Sequence, residues 1–168
     1  MNKQILEKYQ SQNGVSLAEL SNNSPVLLIF LRHFGWTFCR EAVAEVAKKR
    51  KTLTANGTLL AFVSMAKENQ AKEFFAQYGV EDLPRFSDPE KKLYNEFGLE
   101  TGSFTQVLGV KSFVRGLAIL KHGIGKPVGD VWQMPGTFVI HKGEILQAFI
   151  NENVSDVPDY EGMVCEIG

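Results

Sequence analysis

The chain is poor in the residues that staple or metallate small folds. Among 168 residues there are two cysteines, Cys39 and Cys165, and three histidines. Two thiols cannot make a disulfide framework, and neither sits in a metal-ligand pair, so a disulfide scaffold and a zinc site are both disfavoured. Charge of one sign is equally scarce. The net charge is -1, which leaves no electrostatic footprint for nucleic acid. Long apolar runs are missing too: none approaches the ~18 residues that span a bilayer. Residues 1–10 are charged and polar, without the apolar stretch of a secretory signal. The expectation is a soluble, cytoplasmic protein with no nucleic-acid or membrane partner. Gly123-Ile124-Gly125-Lys126-Pro127 lacks the spacing of a phosphate-binding loop.

What the chain does have is enough apolar sequence, 44% of its residues, to bury one domain core. The periodicity predicts the elements. Residues 2–10 read as a short helix with Ile5, Leu6 and Tyr9 on one face, residues 16–20 as another turn, and 21–25 as a loop. Residues 26–31 are a continuous apolar run of strand length, as in a sheet covered on both faces. Cys39, Ala42, Val43, Val46 and Ala47 then recur at helical spacing. The basic cluster Lys48-Lys49-Arg50-Lys51 falls where it suits the negative end of that helix. Residues 59–63 form a second strand, giving a strand-helix-strand unit.

Ser64 is placed to cap a helix over 66–78, closed by Gly79. A small strand fits within 83–88, and Asp88-Pro89 to open a helix running to Phe97. Residues 103–120 show looser helical periodicity, and 122–130 read as a glycine-rich loop. Residues 137–140 and 144–150 alternate as a hairpin turned at Lys142-Gly143, and 159–165 could form a last helix. The order describes a single α/β domain with a central mixed sheet: an N-terminal extension over 1–24, a core over 25–150 and a C-terminal segment over 151–168.

One place in this order suits chemistry. A strand, a tight turn and a helix put Cys39 in the helix's first turn, where free amides face outward and cations stand nearby: Arg32, His33 and Arg40. From periodicity alone, Cys39 reads equally well as a small buried hydrophobe on the helix stripe.

The segment Phe30-Leu31-Arg32-His33-Phe34-Gly35-Trp36-Thr37-Phe38-Cys39-Arg40-Glu41 resembles the active-site segment of the peroxiredoxin-like alkyl hydroperoxide reductase/thiol-specific antioxidant family of the thioredoxin superfamily. That family's pattern is an arginine, a glycine turn, then Cys-x-x-Cys-Arg/Lys-Glu at a helix start. Asp88-Pro89-Glu90-Lys91-Lys92-Leu93-Tyr94 resembles the family's Asp-Pro-x-x-Lys-Leu-Tyr, and Gly136-Thr137-Phe138-Val139-Ile140 its strand after the active-site loop. The likeness covers most of residues 25–150.

The resemblance implies a thioredoxin-like fold and a single nucleophile, Cys39, with Arg32 and Arg40 favouring its thiolate. It places His33, Trp36, Thr37 and Pro135 around the substrate. Pro135 aligns with the family's cis-proline loop. Gln133 and Met134 stand where peroxiredoxins carry an arginine, a role that falls to Arg32 or Arg115. Gly162-Met163-Val164-Cys165 resembles the resolving segment of two-cysteine peroxiredoxins, which makes Cys165 a candidate resolving thiol. The implied partners are a peroxide or disulfide substrate and an external thiol such as glutathione or thioredoxin. A homodimer is left open, and neither a metal nor an organic cofactor is required.

The departure is Trp36, which replaces the first cysteine and removes any internal disulfide across the motif. Two readings follow: a one-cysteine antioxidant oxidoreductase, or a redox-inactive module that binds through Trp36, Phe34 and Phe38.

Overall fold

The apolar runs and alternating segments pair into one mixed sheet. The structure is a computed structural model that describes residues 3–103, 129–153 and 155–166. Its elements are α1 (Lys3–Lys8), α2 (Leu17–Asn23), β1 (Val26–Phe30), α3 (Thr37–Leu53), β2 (Leu59–Ser64), α4 (Glu68–Ala76), β3 (Arg85–Ser87), α5 (Lys92–Glu96), β4 (Gly136–His141), β5 (Glu144–Ile150) and α6 (Tyr160–Cys165). The sheet is five-stranded in the order β3-β2-β1-β4-β5. β1 runs parallel to β2, and β2 to β3, while β4 is antiparallel to both β1 and β5. The expectations for 104–128, including the helix, the glycine-rich loop and Arg115, lie outside the described residues.

The alternation of side chains across a strand assigns the two faces. Leu27, Ile29, Leu31, Leu60, Phe62 and Val139 pack on one side with Cys39, Val43 and Val46 of α3, Phe74 and Phe75 of α4, and Met163 and Val164 of α6. Val26, Leu28, Phe30, Ala61, Val63, Phe138 and Ile140 pack on the other with Leu6, Leu17, Leu93, Tyr94 and Phe97. β1 is central and buried throughout, which accounts for its unbroken apolar run. The hairpin turn also forms where it was expected. Lys142 and Gly143 both take positive φ, 51° and 78°, as the favoured two-residue hairpin turn requires.

Three local expectations are corrected. α2, capped at its start by Ser16, continues to Asn23, with Leu20 packed against the core, Ser21 buried and the Ser24 amide bonded to the Leu20 carbonyl. α4 starts at Glu68 rather than Ala66, since Ser64 is still paired with Ser87 in the sheet. α5 starts at Lys92 rather than Pro89.

Asp88 is nonetheless its cap. The carboxylate, 1% exposed, accepts from the amides of Lys92, Leu93 and Tyr94 at 3.0, 2.7 and 3.1 Å, and from the Tyr9 hydroxyl at 2.7 Å. Removing it orphans the buried Leu93 and Tyr94 amides and the half-buried Tyr9 hydroxyl. Asp88→Ala should cost about 3 kcal/mol in urea denaturation, more than an ordinary cap. A loss below about 0.5 kcal/mol would mean that water takes the acceptor's place.

Candidate functional site

The site forms where β1 ends and α3 begins. Tyr94, wholly buried, donates its hydroxyl to the Leu31 carbonyl and, at 3.3 Å, to that of Val63. The Leu31 amide donates to Val63 at 2.9 Å. The residue that follows β1 is thus fixed, and Arg32 and His33 lead off from it. The chain turns through Phe34 and Gly35, with the Trp36 amide closing on the His33 carbonyl at 3.2 Å. Trp36 is the extended N-cap of α3 and brings no side-chain acceptor. The positive end of the helix therefore acts without a capping oxygen.

Cys39 lies in that first turn, 5% exposed. Burial pushes its thiol up to about 11, against the smaller lowering influences of the Arg32 and His33 backbone and of the Arg32 and Arg40 charges. The expected cations do favour the thiolate, but desolvation outweighs them because Cys39 is buried in the core between the sheet and α3.

Arg32 is 2% exposed. Its Nη2 donates to the Val131 carbonyl, while Nε and Nη1 have no partner among the described residues. Its guanidinium carbon lies 3.9 Å from the centroid of the Trp36 ring. Desolvation lowers Arg32 to about 10, so it still carries its charge at neutral pH. Val131 is held in place by its neighbours. Asp130 pairs with Lys91 at 2.8 Å and accepts from the Trp132 amide at 2.8 Å. Gln133 donates to the Leu99 carbonyl at 2.9 Å, and Met134 to Glu100 at 3.1 Å.

A cavity of about 50 Å³ opens beside the sulfur. Its buried floor includes Ile29, Arg32, Phe38, Cys39, Thr137 and Tyr160, and its half-exposed edge includes Trp36, Glu41, Glu45 and Asp156. The space suffices for a few atoms, and Arg32 and Cys39 both line it. Arg32, Trp36, Cys39 and Pro135 are brought together around it.

Other expected site residues are placed elsewhere. Arg40 donates to the Phe34 carbonyl at 3.2 Å and lies 5.6 Å from the Phe74 ring, off the cavity. Thr37 is buried and also off it. His33 is buried with neither ring nitrogen partnered among the described residues. Desolvation and the Arg32 charge hold it down to about 4, so it is neutral at physiological pH. It packs edge-on against Trp36, with centroids 5.5 Å apart. The bond before Pro135 is trans, not cis as the family loop suggested. Gly136, next in line, packs so tightly that an added Cβ would come 2.6 Å from Leu99 Cδ2.

Cys165 is exposed and far from Cys39. The carbonyl of its neighbour Val164 accepts from Asn56 at 2.7 Å, beyond the C-terminal end of α3. Cys39 starts that helix, whose length separates the two thiols by about 20 Å. A disulfide needs Cα atoms within ~7 Å, so this structure does not bring the proposed resolving pair together.

Sequence reasoning missed Thr137, Tyr160, Asn151 and Asp156. The alternation of β4 was the available signal for Thr137, since it shares a face with Val139. Nothing local marks the other three. Among the described residues no group of three His, Cys, Asp or Glu side chains could hold a metal ion, and no helix is long and apolar enough to cross a membrane.

Comparison with known proteins identifies the fold and the family. Among solved structures, Xanthomonas campestris peroxiredoxin Q superposes with a TM-score of 0.66 at 15% identity, over 95% of this chain and 88% of that one. Mycobacterium tuberculosis peroxidoxin BcpB gives 0.65 at 20% identity, over 95% and 92%. The fold is thus the thioredoxin-like one expected from the sequence. The prostamide/prostaglandin F synthase of Salmo salar is 30% identical over 158 residues, 90% of this chain and 78% of the relative. That of Danio rerio is 30% identical over 161 residues, 92% and 79%. The model of the AhpC/TSA antioxidant enzyme family matches residues 45–153, a stretch that begins after Cys39 and takes in β2 to β5 together with Glu45, Pro135, Gly136, Thr137 and Asn151 of the cavity lining. With that match and those relatives, the chain belongs to the AhpC/TSA antioxidant enzyme family.

Proposed function

We propose that the protein reduces hydroperoxides with one cysteine, Cys39, and returns to its thiol form through an external thiol. The observation that carries this reading is the buried Arg32, whose Nε and Nη1 are unpartnered and which shares the Cys39 cavity. A cation with two unmatched donor nitrogens, lining the same cavity as the sulfur, suits an oxygen–oxygen bond under attack: negative charge leaving on oxygen is stabilised by such a group.

The thiolate sulfur attacks one peroxide oxygen, forming an S–O bond as the O–O bond breaks. Sulfur gives up two electrons and becomes a sulfenic acid, and the departing oxygen takes a proton and leaves as alcohol or water. A first external thiol displaces water to form a mixed disulfide. A second releases the Cys39 thiol and carries the disulfide away. The distance to Cys165 is why the reductant is external. The fish relatives are named for prostamide and prostaglandin F synthesis. The largely apolar wall, with Ile29, Phe38, Val157 and Pro158, suits an organic hydroperoxide as well as hydrogen peroxide.

The burial of Cys39 favours a second reading, a redox-silent binding or regulatory module on the same fold. One experiment separates the two. Consumption of hydrogen peroxide and cumene hydroperoxide is followed with dithiothreitol or glutathione in the wild type, Cys39→Ser and Cys165→Ser. The wild type and Cys165→Ser should turn over at equal rates, with Cys39→Ser at the background of the reductant alone. A wild type no faster than Cys39→Ser leaves the silent module.

A further inference from the structure

Trp36 stands where the family's dithiol has its first cysteine, and its ring lies against a buried cation. A charge 98% removed from solvent needs compensation. Arg32 has one hydrogen bond, to Val131, and no ion pair among the described residues. A carboxylate in contact would neutralise the cation and occupy its N–H groups. An aromatic ring compensates differently: its π face attracts the cation and takes none of its hydrogen bonds. With the guanidinium carbon 3.9 Å from the indole centroid, Arg32 is held by its face while Nε and Nη1 have no acceptor among the described residues.

The indole is itself braced. His33 meets it edge-on, Phe38 lies nearly parallel with centroids 6.3 Å apart, and Met134 packs into the same cluster. Backbone bonds fix it from both sides: its amide donates to His33, and its carbonyl accepts from Arg40 at 3.4 Å. Phe38 and Met134 thus have a purpose beyond filling space. They hold a flat surface at one angle against the cation.

We propose that Trp36 is a positioning residue for Arg32: its ring holds the guanidinium beside the Cys39 cavity while taking none of the hydrogen-bonding capacity of Nε and Nη1. The tryptophan that removed the dithiol thereby keeps the arginine competent. The proposal rests on the peroxide reading only for the oxygen that Nε and Nη1 would meet. The hold on Arg32 stands apart from it, because Arg32 also acts on the Cys39 thiol, and so does the Arg40 charge.

The test uses the full chain with Cys165→Ser, so that Cys39 is the single thiol. Rates of Cys39 alkylation by iodoacetamide at pH 9 are measured for the parent, Trp36→Leu, Arg32→Met and the double variant. Any change in thiol access caused by leucine recurs in both backgrounds and cancels in the cycle. A coupling of roughly tenfold between the two positions is expected, with Trp36→Phe restoring most of the parent behaviour. In the parent, the Arg32 Nε–H proton should resonate upfield of free arginine because of the indole ring current, and return toward that position in Trp36→Leu. Coupling near unity, or an unshifted Arg32 proton in the parent, overturns the proposal. Coupling with no peroxide turnover upholds the positioning role and removes the peroxidase reading instead.

Discussion

Alkylation of Cys39 should accelerate about tenfold per pH unit from 7 to 10, without the low-pH plateau of an activated thiol. Burial holds the thiol near 11, so about one molecule in ten thousand carries the thiolate at pH 7. The lowering influences are present but smaller, because two cations and the start of a helix act on a sulfur enclosed by side chains of β1, α3 and α6. The same shift changes stability, and the sign follows from proton counts. Between pH 9 and 11 the unfolded chain has lost the Cys39 proton and the folded one keeps it, so stability falls as pH rises through that window. The loss is about 3 kcal/mol across a shift from 9.0 to about 11. Cys39→Ser should flatten that alkaline fall. A rate plateau below pH 8 would show that the thiol is solvated in solution, and would overturn the burial argument. For a peroxidase this arrangement implies slow turnover at neutral pH, with the rate following the thiolate.

Arg32→Met should separate stability from chemistry. Peroxide-dependent loss of the Cys39 thiol should fall by about a hundredfold or more, the scale of losing a donor set at a developing oxyanion. Stability should hold or rise by about 1–2 kcal/mol, because an apolar chain of similar length replaces a cation with one hydrogen bond. Desolvation lowers Arg32 to about 10. Above that value the folded chain releases a proton that the unfolded chain retains, so wild-type stability gains as pH rises between about 10 and 12. Arg32→Met should show no such gain. Urea denaturation at pH 7.5 and single-turnover thiol loss provide the two readings. A fold weakened by more than about 2 kcal/mol would mean that the guanidinium is fully hydrogen-bonded in solution and is not available to a substrate oxygen.

These two expectations show where the sequence was sufficient. The run Val26 to Leu31 specified a buried strand because a six-residue apolar stretch leaves no face for water. The stripe from Cys39 to Ala47 specified α3 and the face it buries. Lys142-Gly143 set a turn through the conformational properties of two neighbouring residues. The fold class followed from their order, since a strand-helix-strand unit and a closing hairpin have few ways to share a sheet. Boundaries were less legible. Ser64 looks like a cap, but pairing with Ser87 keeps it in β2. Asp88 does cap α5, from further upstream than a helix opening at Pro89 would place it.

The sequence by itself determined the platform: a strand end, a turn and a helix start carrying Arg32, Trp36 and Cys39. Only the tertiary structure decided their condition. It enclosed the sulfur so that desolvation exceeds the cations that surround it. It stacked Arg32 on Trp36, turned Arg40 toward Phe74, and left Cys165 at the far end of α3. The physical reason is range. Helix and strand preferences are set by neighbours a few residues away, whereas desolvation, cation–π contact and the separation of two thiols are sums over atoms that only folding brings near.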